Sequence, residues 1–213
     1  YVKYFSVPDH MKGTPLYISF QGVESGMASW LNGNYVGYSE DSFTPSEFEL
    51  TPYLTEGENK LAVQVFKWTS SSWCEDQDFF RFSGIYRSVY LYTVPKVHVQ
   101  DICIRTLLDD KYQDAELQIE GKTLGNGRAS FKLCHGEETV AAAQADISGE
   151  FTLSLPVQGP ALWSAEEPNL YELQAEVMDE DGGLMEVFSQ MVGFRRFEMI
   201  DNIMCLNGKR IVF

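Results

Sequence analysis

Apolar residues in this chain recur at every second position, and almost nowhere at the three- and four-residue spacing of a buried helix face. Leu16, Ile18 and Phe20 lie on one side of a run whose other side is Tyr17, Ser19 and Gln21. Leu61, Val63 and Val65 alternate with Ala62, Gln64 and Phe66, and Val89 and Leu91 with Tyr90 and Tyr92. A period of two belongs to strands that bury one face, so the chain is committed to an all-β fold. The turns agree with this. Asn32-Gly33 supplies the positive φ angles of a primed hairpin turn between Trp30-Leu31 and the strand that follows. Thr51-Pro52-Tyr53-Leu54 reads as one helical turn, and Glu56-Gly57-Glu58-Asn59 turns the chain into a strand over 60–67.

Near residue 95 the pattern restarts. Pro95 cannot donate to a strand ladder, which places a domain boundary at Thr93-Val94-Pro95-Lys96. Beyond it, Val97 and Val99 fall out of step with Ile102 and Ile104, as a β-bulge would make them. Further alternation follows at Ala115, Leu117 and Ile119, at Phe131 and Leu133, over 139–145, at Phe151, Leu153 and Leu155, at Leu173, Ala175 and Val177, and over 184–192. That is roughly seven short strands in about 100 residues, the number an immunoglobulin-like sandwich uses. The expected architecture is therefore two antiparallel β-sandwiches. Residues 1–94 form the first, with long irregular loops, 95–197 the second, and 198–213 lead out of it. The chain opens within strand-like alternation and closes on Asn207-Gly208-Lys209-Arg210-Ile211-Val212-Phe213, a hairpin turn and the start of a strand, so it reads as part of a longer protein.

Charge and cysteine content remove several functions. A formal net charge of −15 repels phosphate backbones, which argues against a nucleic-acid partner. No apolar run reaches the ~18 residues of a membrane-spanning helix. Cys74, Cys103, Cys134 and Cys205 are widely spaced and include no Cys-x-x-Cys pair, which argues against zinc and for small apolar side chains in a reducing compartment. His10, His98 and His135 are scattered, away from any candidate nucleophile.

Chemistry is concentrated in the long loop between the strands at 60–67 and 88–92. Glu75, Asp76 and Asp78 fall within four residues, with Trp68 and Trp73 before them and Phe79, Phe80 and Phe82 after them. Paired carboxylates can serve acid/base chemistry at a glycosidic bond or bind a hard cation through oxygen, and they can also be a solvated acidic loop. The phenylalanines are expected to hold the loop down on the protein, and Arg81 and Arg87 to pair with its acids. Trp68 and Trp73 are candidates for stacking on a sugar, with a core position the alternative, above all for Trp68. Glu24, in Gly22-Val23-Glu24-Ser25-Gly26, stands between glycines that let backbone approach something closely.

These residues carry a family resemblance. Glu75-Asp76-Gln77-Asp78 followed by Arg81, Ser83-Gly84-Ile85 and Arg87 closely resembles the bacterial β-galactosidases of glycoside hydrolase family two. So do Gly37-Tyr38-Ser39 with Asp41-Ser42 and Pro45-Ser46-Glu47-Phe48, Leu162-Trp163-Ser164-Ala165-Glu166 with Pro168-Asn169-Leu170-Tyr171, Val192-Gly193-Phe194-Arg195, and Leu206-Asn207-Gly208-Lys209. The resemblance runs over nearly the whole chain. It implies a jelly-roll sugar-binding domain truncated at its N-terminus, an immunoglobulin-like sandwich, and then the lead-in to a (β/α)8 catalytic barrel that is not part of the chain.

Several expectations follow from the resemblance. Both catalytic glutamates and the magnesium ligands would lie in that barrel, so the chain itself carries no catalytic residue and is inactive alone. Asp78 matches an aspartate that reaches the active site, touches galactose and helps hold a sodium ion. Glu24 matches a loop position that in some members is an asparagine contacting the sugar. The substrate would be a terminal β-galactoside such as lactose, and the whole protein a cytoplasmic homo-oligomer. The region 141–150 is too short for the loop that in some members completes a neighbouring subunit's site. A β-glucuronidase or β-mannosidase of the same family, or a free-standing carbohydrate-binding module, are the alternatives.

Overall fold

The computed structural model describes every residue except Asp76, Phe79 and Phe213. The chain divides into two compact units, Tyr1–Val94 and Pro95–Phe213.

In the first unit the strands are β1 (Val2–Ser6), β2 (Leu16–Phe20), β3 (Val23–Glu24), β4 (Gly26–Leu31), β5 (Asn34–Ser39), β6 (Ser46–Glu49), β7 (Glu58–Phe66), β8 (Gly84–Ile85) and β9 (Val89–Thr93). They make a four-stranded sheet β1-β7-β4-β5, a three-stranded sheet β6-β2-β9 and a small pair β3-β8. All of these pairings are antiparallel. Alternation sends Leu16, Ile18 and Phe20 of β2 inward, where they meet Met27 and Leu31 of β4 and Leu61 and Val63 of β7 in one core. Asn32 and Gly33 take φ of 53° and 84°, the left-handed values a two-residue β4–β5 hairpin demands. Thr51–Tyr53 forms a single 3-10 turn with proline in its first turn.

The second unit contains β10 (His98–Leu108), β11 (Asp114–His135), β12 (Glu138–Gln158), β13 (Tyr171–Asp179) and β14 (Leu184–Val192), followed by the small antiparallel meander β15 (Phe197–Ile200), β16 (Ile203–Leu206) and β17 (Lys209–Arg210). The expected bulge in β10 lies between Val99 and Asp101. The expectation of roughly seven short strands does not survive. Up to Val192 there are five, because β11 and β12 run unbroken for 22 and 21 residues. Their ladder shifts register between Lys122 and Asn126, and the two halves of β11 then take different neighbours. Residues before the shift pair with β10, those after it with β13. One bent ribbon thus serves both layers of the sandwich. Leu117, Ile119, Phe131 and Leu133 of β11 enclose the core with Ile147 and Leu155 of β12 and Leu173, Ala175 and Val177 of β13. Residues 141–150 are strand throughout and form no loop.

All four cysteines are free, and only Cys134 and Cys205 are buried. The apolar role expected of them does not extend to the exposed Cys74 and Cys103.

Candidate functional site

The acidic loop leaves β7 and returns through β8. Its first part is a one-turn α-helix, α1 (Ser71–Cys74). A helix this short leaves nearly all its amide groups without an internal partner, so it depends on caps from elsewhere. Glu40, just past β5, supplies them. Its carboxylate accepts from Ser70 Oγ at 2.7 Å, from the Ser71 amide at 2.9 Å and from the Tyr38 hydroxyl at 2.8 Å, while Ser71 Oγ donates to its carbonyl at 2.7 Å. These bonds, the one from Ser70 foremost, hold the Glu40 carboxyl down to about 2. Ser72, buried in the helix, joins its hydroxyl to that of Ser25 at 2.6 Å.

Glu75 follows the helix and closes a second anchor. Its two carboxylate oxygens accept from the Ser42 amide at 3.0 Å and from Ser42 Oγ at 2.6 Å. The Ser42 carbonyl accepts from the Tyr86 hydroxyl on the returning side of the loop. Arg87 donates to the Phe43 carbonyl at 2.7 Å and to that of Gln21 at 3.3 Å. Asp41 holds the turn containing these partners by accepting from the amides of Phe43 and Thr44, both at 2.9 Å, and from the Thr44 hydroxyl. The Thr44 contacts keep the Asp41 carboxyl below its ordinary range.

A third anchor is Glu24. It is half-buried, and its Oε2 accepts from the Phe82 amide at 3.1 Å, beside the β3–β8 pairing of Glu24 with Gly84. The glycines flanking Glu24 do permit a close approach, but what approaches is the protein itself. A Cβ on Gly22 would stand 2.8 Å from the Tyr86 ring, and one on Gly26 would stand 2.7 Å from Thr69 Cγ2.

Asp78 is different. It is exposed, and among the described residues its carboxylate accepts no hydrogen bond. The two expected sugar-binding residues therefore separate: Glu24 is engaged with the loop's own backbone, and Asp78 is presented to solvent. Among the described residues no group of three His, Cys, Asp or Glu side chains is placed to hold a metal ion.

Two expectations about the loop are corrected. Phe80 and Phe82 are 81% and 68% exposed, so neither of them holds it down by apolar burial. Carboxylate and hydroxyl contacts do so instead. Phe79 and Asp76 lie outside the described residues. Arg87 binds backbone carbonyls rather than the loop's acids. Arg81 donates to the Glu75 carbonyl at 3.4 Å and lies 5.8 Å from the Trp68 ring centre, and its expected pairing with Asp76 falls outside the described residues. Trp68 and Trp73 are exposed, which excludes a core position for either within this unit. The residues missed from sequence are Glu40, Ser42 and Tyr86. Asp41-Ser42 stands within the quoted family pattern, which marks the segment but assigns Ser42 no partner.

Residues 1–95 match the sugar binding domain of glycosyl hydrolases family 2, and residues 97–195 match a further domain of glycosyl hydrolases family 2. The chain belongs to glycosyl hydrolase family 2. Over its whole length it is 53% identical to a β-galactosidase of Clostridium acetobutylicum and 48% identical to one of Streptococcus thermophilus, covering 24% and 21% of those proteins. It thus spans about a quarter of the length of the relatives it matches. A crystal structure of a Bacteroides uniformis β-glucuronidase superposes with a TM-score of 0.87 over 98% of this chain and 28% of that one, at 24% identity. That similarity carries the fold alone. No helix among the described residues is long and apolar enough to cross a membrane.

Proposed function

We propose that this chain is the non-catalytic N-terminal part of a retaining β-galactosidase that hydrolyses terminal non-reducing β-D-galactosides such as lactose. The observation that carries this reading is the 53% identity, over the whole chain, to a protein named β-galactosidase. The two-carboxylate chemistry of retention belongs to a barrel beyond these residues, and the magnesium site goes with it. The sandwich pair supplies one wall of the sugar site. In that wall Asp78 accepts hydrogen bonds from sugar hydroxyls and Glu24 secures the loop's returning side, close to the sugar. Asp78 also suits sodium, because it offers a hard anionic oxygen with no competing partner among the described residues. The remaining oxygen ligands would come from the barrel and water. The whole enzyme is a cytoplasmic homo-oligomer in this reading.

The β-glucuronidase fold similarity does not discriminate between activities, so the test must. The longer enzyme is assayed with nitrophenyl β-galactoside, β-glucuronide and β-mannoside. Preference for the galactoside is expected, together with no turnover by the 213-residue chain alone. Preference for either other sugar, or activity in the short chain, sinks the reading.

A further inference from the structure

Ser42 is 1% exposed, yet it has no core role. Every polar group it owns is spent on the two ends of the acidic loop or on Ser25, between β3 and β4. Its amide and hydroxyl donate to Glu75 on the outgoing side, and its carbonyl accepts from Tyr86 on the returning side. The hydroxyl also lies 3.5 Å from the Ser25 carbonyl, next to Glu24. Asp78 falls between Glu75 and Tyr86, and none of its own atoms is tied down among the described residues. Its position is therefore inherited from the anchors on either side of it, and the outermost of these, Glu75 and Tyr86, meet at one buried serine.

We propose that Ser42 is a positioning residue for the sugar site, which sets where Asp78 is presented without touching substrate. This rests on the reading of Asp78 as a sugar contact. The bidentate bond to Glu75 is charge-assisted and sheltered, so its geometry is better defined than that of an exposed pair. Losing its hydroxyl half loosens the outgoing end of the loop while Glu40 still caps α1 and Glu24 still holds Phe82. The expected defect is therefore misplacement of Asp78 with the domain intact.

The test is a double-mutant cycle in the longer enzyme with Ser42→Ala and Asp78→Asn, reading kcat and KM separately for a nitrophenyl galactoside. Ser42→Ala is expected to lower kcat/KM about tenfold, the loss of one charge-assisted hydrogen bond, mostly through KM. In the Asp78→Asn background it is expected to change kcat/KM less than about twofold, because the group it positions is already disabled. Glu75→Gln should reproduce the defect, and Ser42→Thr, which keeps the hydroxyl, should restore most of it. Additive effects in the cycle, or a Ser42→Ala enzyme with wild-type kinetics, overturn the proposal. If the wild-type enzyme does not act on galactosides, the functional reading fails on its own account. The clamp is then judged by amide hydrogen exchange over 75–86, where acceleration of about tenfold or more in Ser42→Ala upholds it and unchanged exchange overturns it.

Discussion

Replacing Asp78 by asparagine separates a functional carboxylate from a structural one. The side chain is exposed and, among the described residues, accepts no hydrogen bond, so folding should not register its loss. Surface substitutions of this kind lie within about 0.5 kcal/mol, which is a shift in melting temperature of a degree or two at most. The effect on a bound sugar is larger. A hydrogen bond from a sugar hydroxyl to a charged acceptor contributes about 1.5–3 kcal/mol, and one to a neutral acceptor about 0.5–1.5 kcal/mol. Asparagine keeps the neutral acceptor, so Asp78→Asn should cost about 1–1.5 kcal/mol, or roughly 5- to 12-fold in kcat/KM. Alanine removes the acceptor as well and should cost roughly 10- to 150-fold. The assay is steady-state hydrolysis of a nitrophenyl galactoside by the longer enzyme in sodium chloride and in choline chloride at equal ionic strength, with thermal melting of each variant. Sodium should stimulate the wild type and should do so less in both variants, because a neutral side chain is a poorer ligand for a hard cation. Kinetics within twofold of wild type at both salts would refute the assignment. So would a fall of several degrees in melting temperature, since the loss would then be one of folding.

Three further outcomes test the surrounding structure. Glu40 has its carboxyl lowered from 4.5 to about 2 by Ser70, Tyr38 and Ser71, so its stabilisation is complete above about pH 4.5 and drains away as pH falls towards 2; a carbon-detected NMR titration should place its midpoint well below those of the free glutamates, and a midpoint at the ordinary value refutes the cap. Gly127→Ala would set a Cβ 2.0 Å from the Met178 carbonyl oxygen, a backbone atom of the paired strand that cannot step aside; urea unfolding should report a loss of about 1–3 kcal/mol, and a neutral result means β11 and β13 are not that close. Phe131→Ala empties a fully buried site between Phe151 and Phe188 and should cost about 3–5 kcal/mol by the same measurement, whereas a cost under about 1 kcal/mol would place Phe131 outside the core.

The parts of the fold legible in the sequence are those whose information is local. Leu16, Ile18 and Phe20 announce a buried strand face because side-chain direction alternates with each residue. Asn32-Gly33 announces its hairpin because few residue pairs tolerate two consecutive left-handed conformations. The break in step between Val99 and Ile102 announces a bulge for the same reason. Strand continuity through the β11–β12 bend was not legible. Gly121, Gly125 and Gly149 resemble strand ends, yet the ladder resumes after the register shift. Thr123 and Gly149 stitch the bend: the Thr123 hydroxyl donates to the Gly149 carbonyl and accepts from its amide, each at 3.2 Å. At Gly121 the missing side chain makes room for the Phe151 ring, which a Cβ would meet at 2.3 Å. Glycine marks a close approach here rather than the end of a strand.

The loop shows why a polar site is harder to read than an apolar core. Its aromatics suggest burial, but hydrophobicity alone does not say which large side chains a unit leaves exposed, and Trp68, Trp73, Phe80 and Phe82 are all exposed. Its acids look alike by spacing alone, yet among the described residues Glu75 meets a donor and Asp78 does not. That donor, Ser42, lies 33 residues away in sequence, and nothing in the spacing of either residue points to the other. The family strings supply what spacing lacks, once they are read in three dimensions. Asp41-Ser42, Glu75 and Ser83-Gly84-Ile85 are far apart along the chain. In the fold the first string clamps the second, and the third pairs with the strand that carries Glu24. Motifs that look like three separate marks of resemblance are one mechanical unit, with Asp78, which accepts no hydrogen bond among the described residues, at its tip. A substitution anywhere in that unit should therefore be felt at Asp78 before it is felt in the stability of either sandwich.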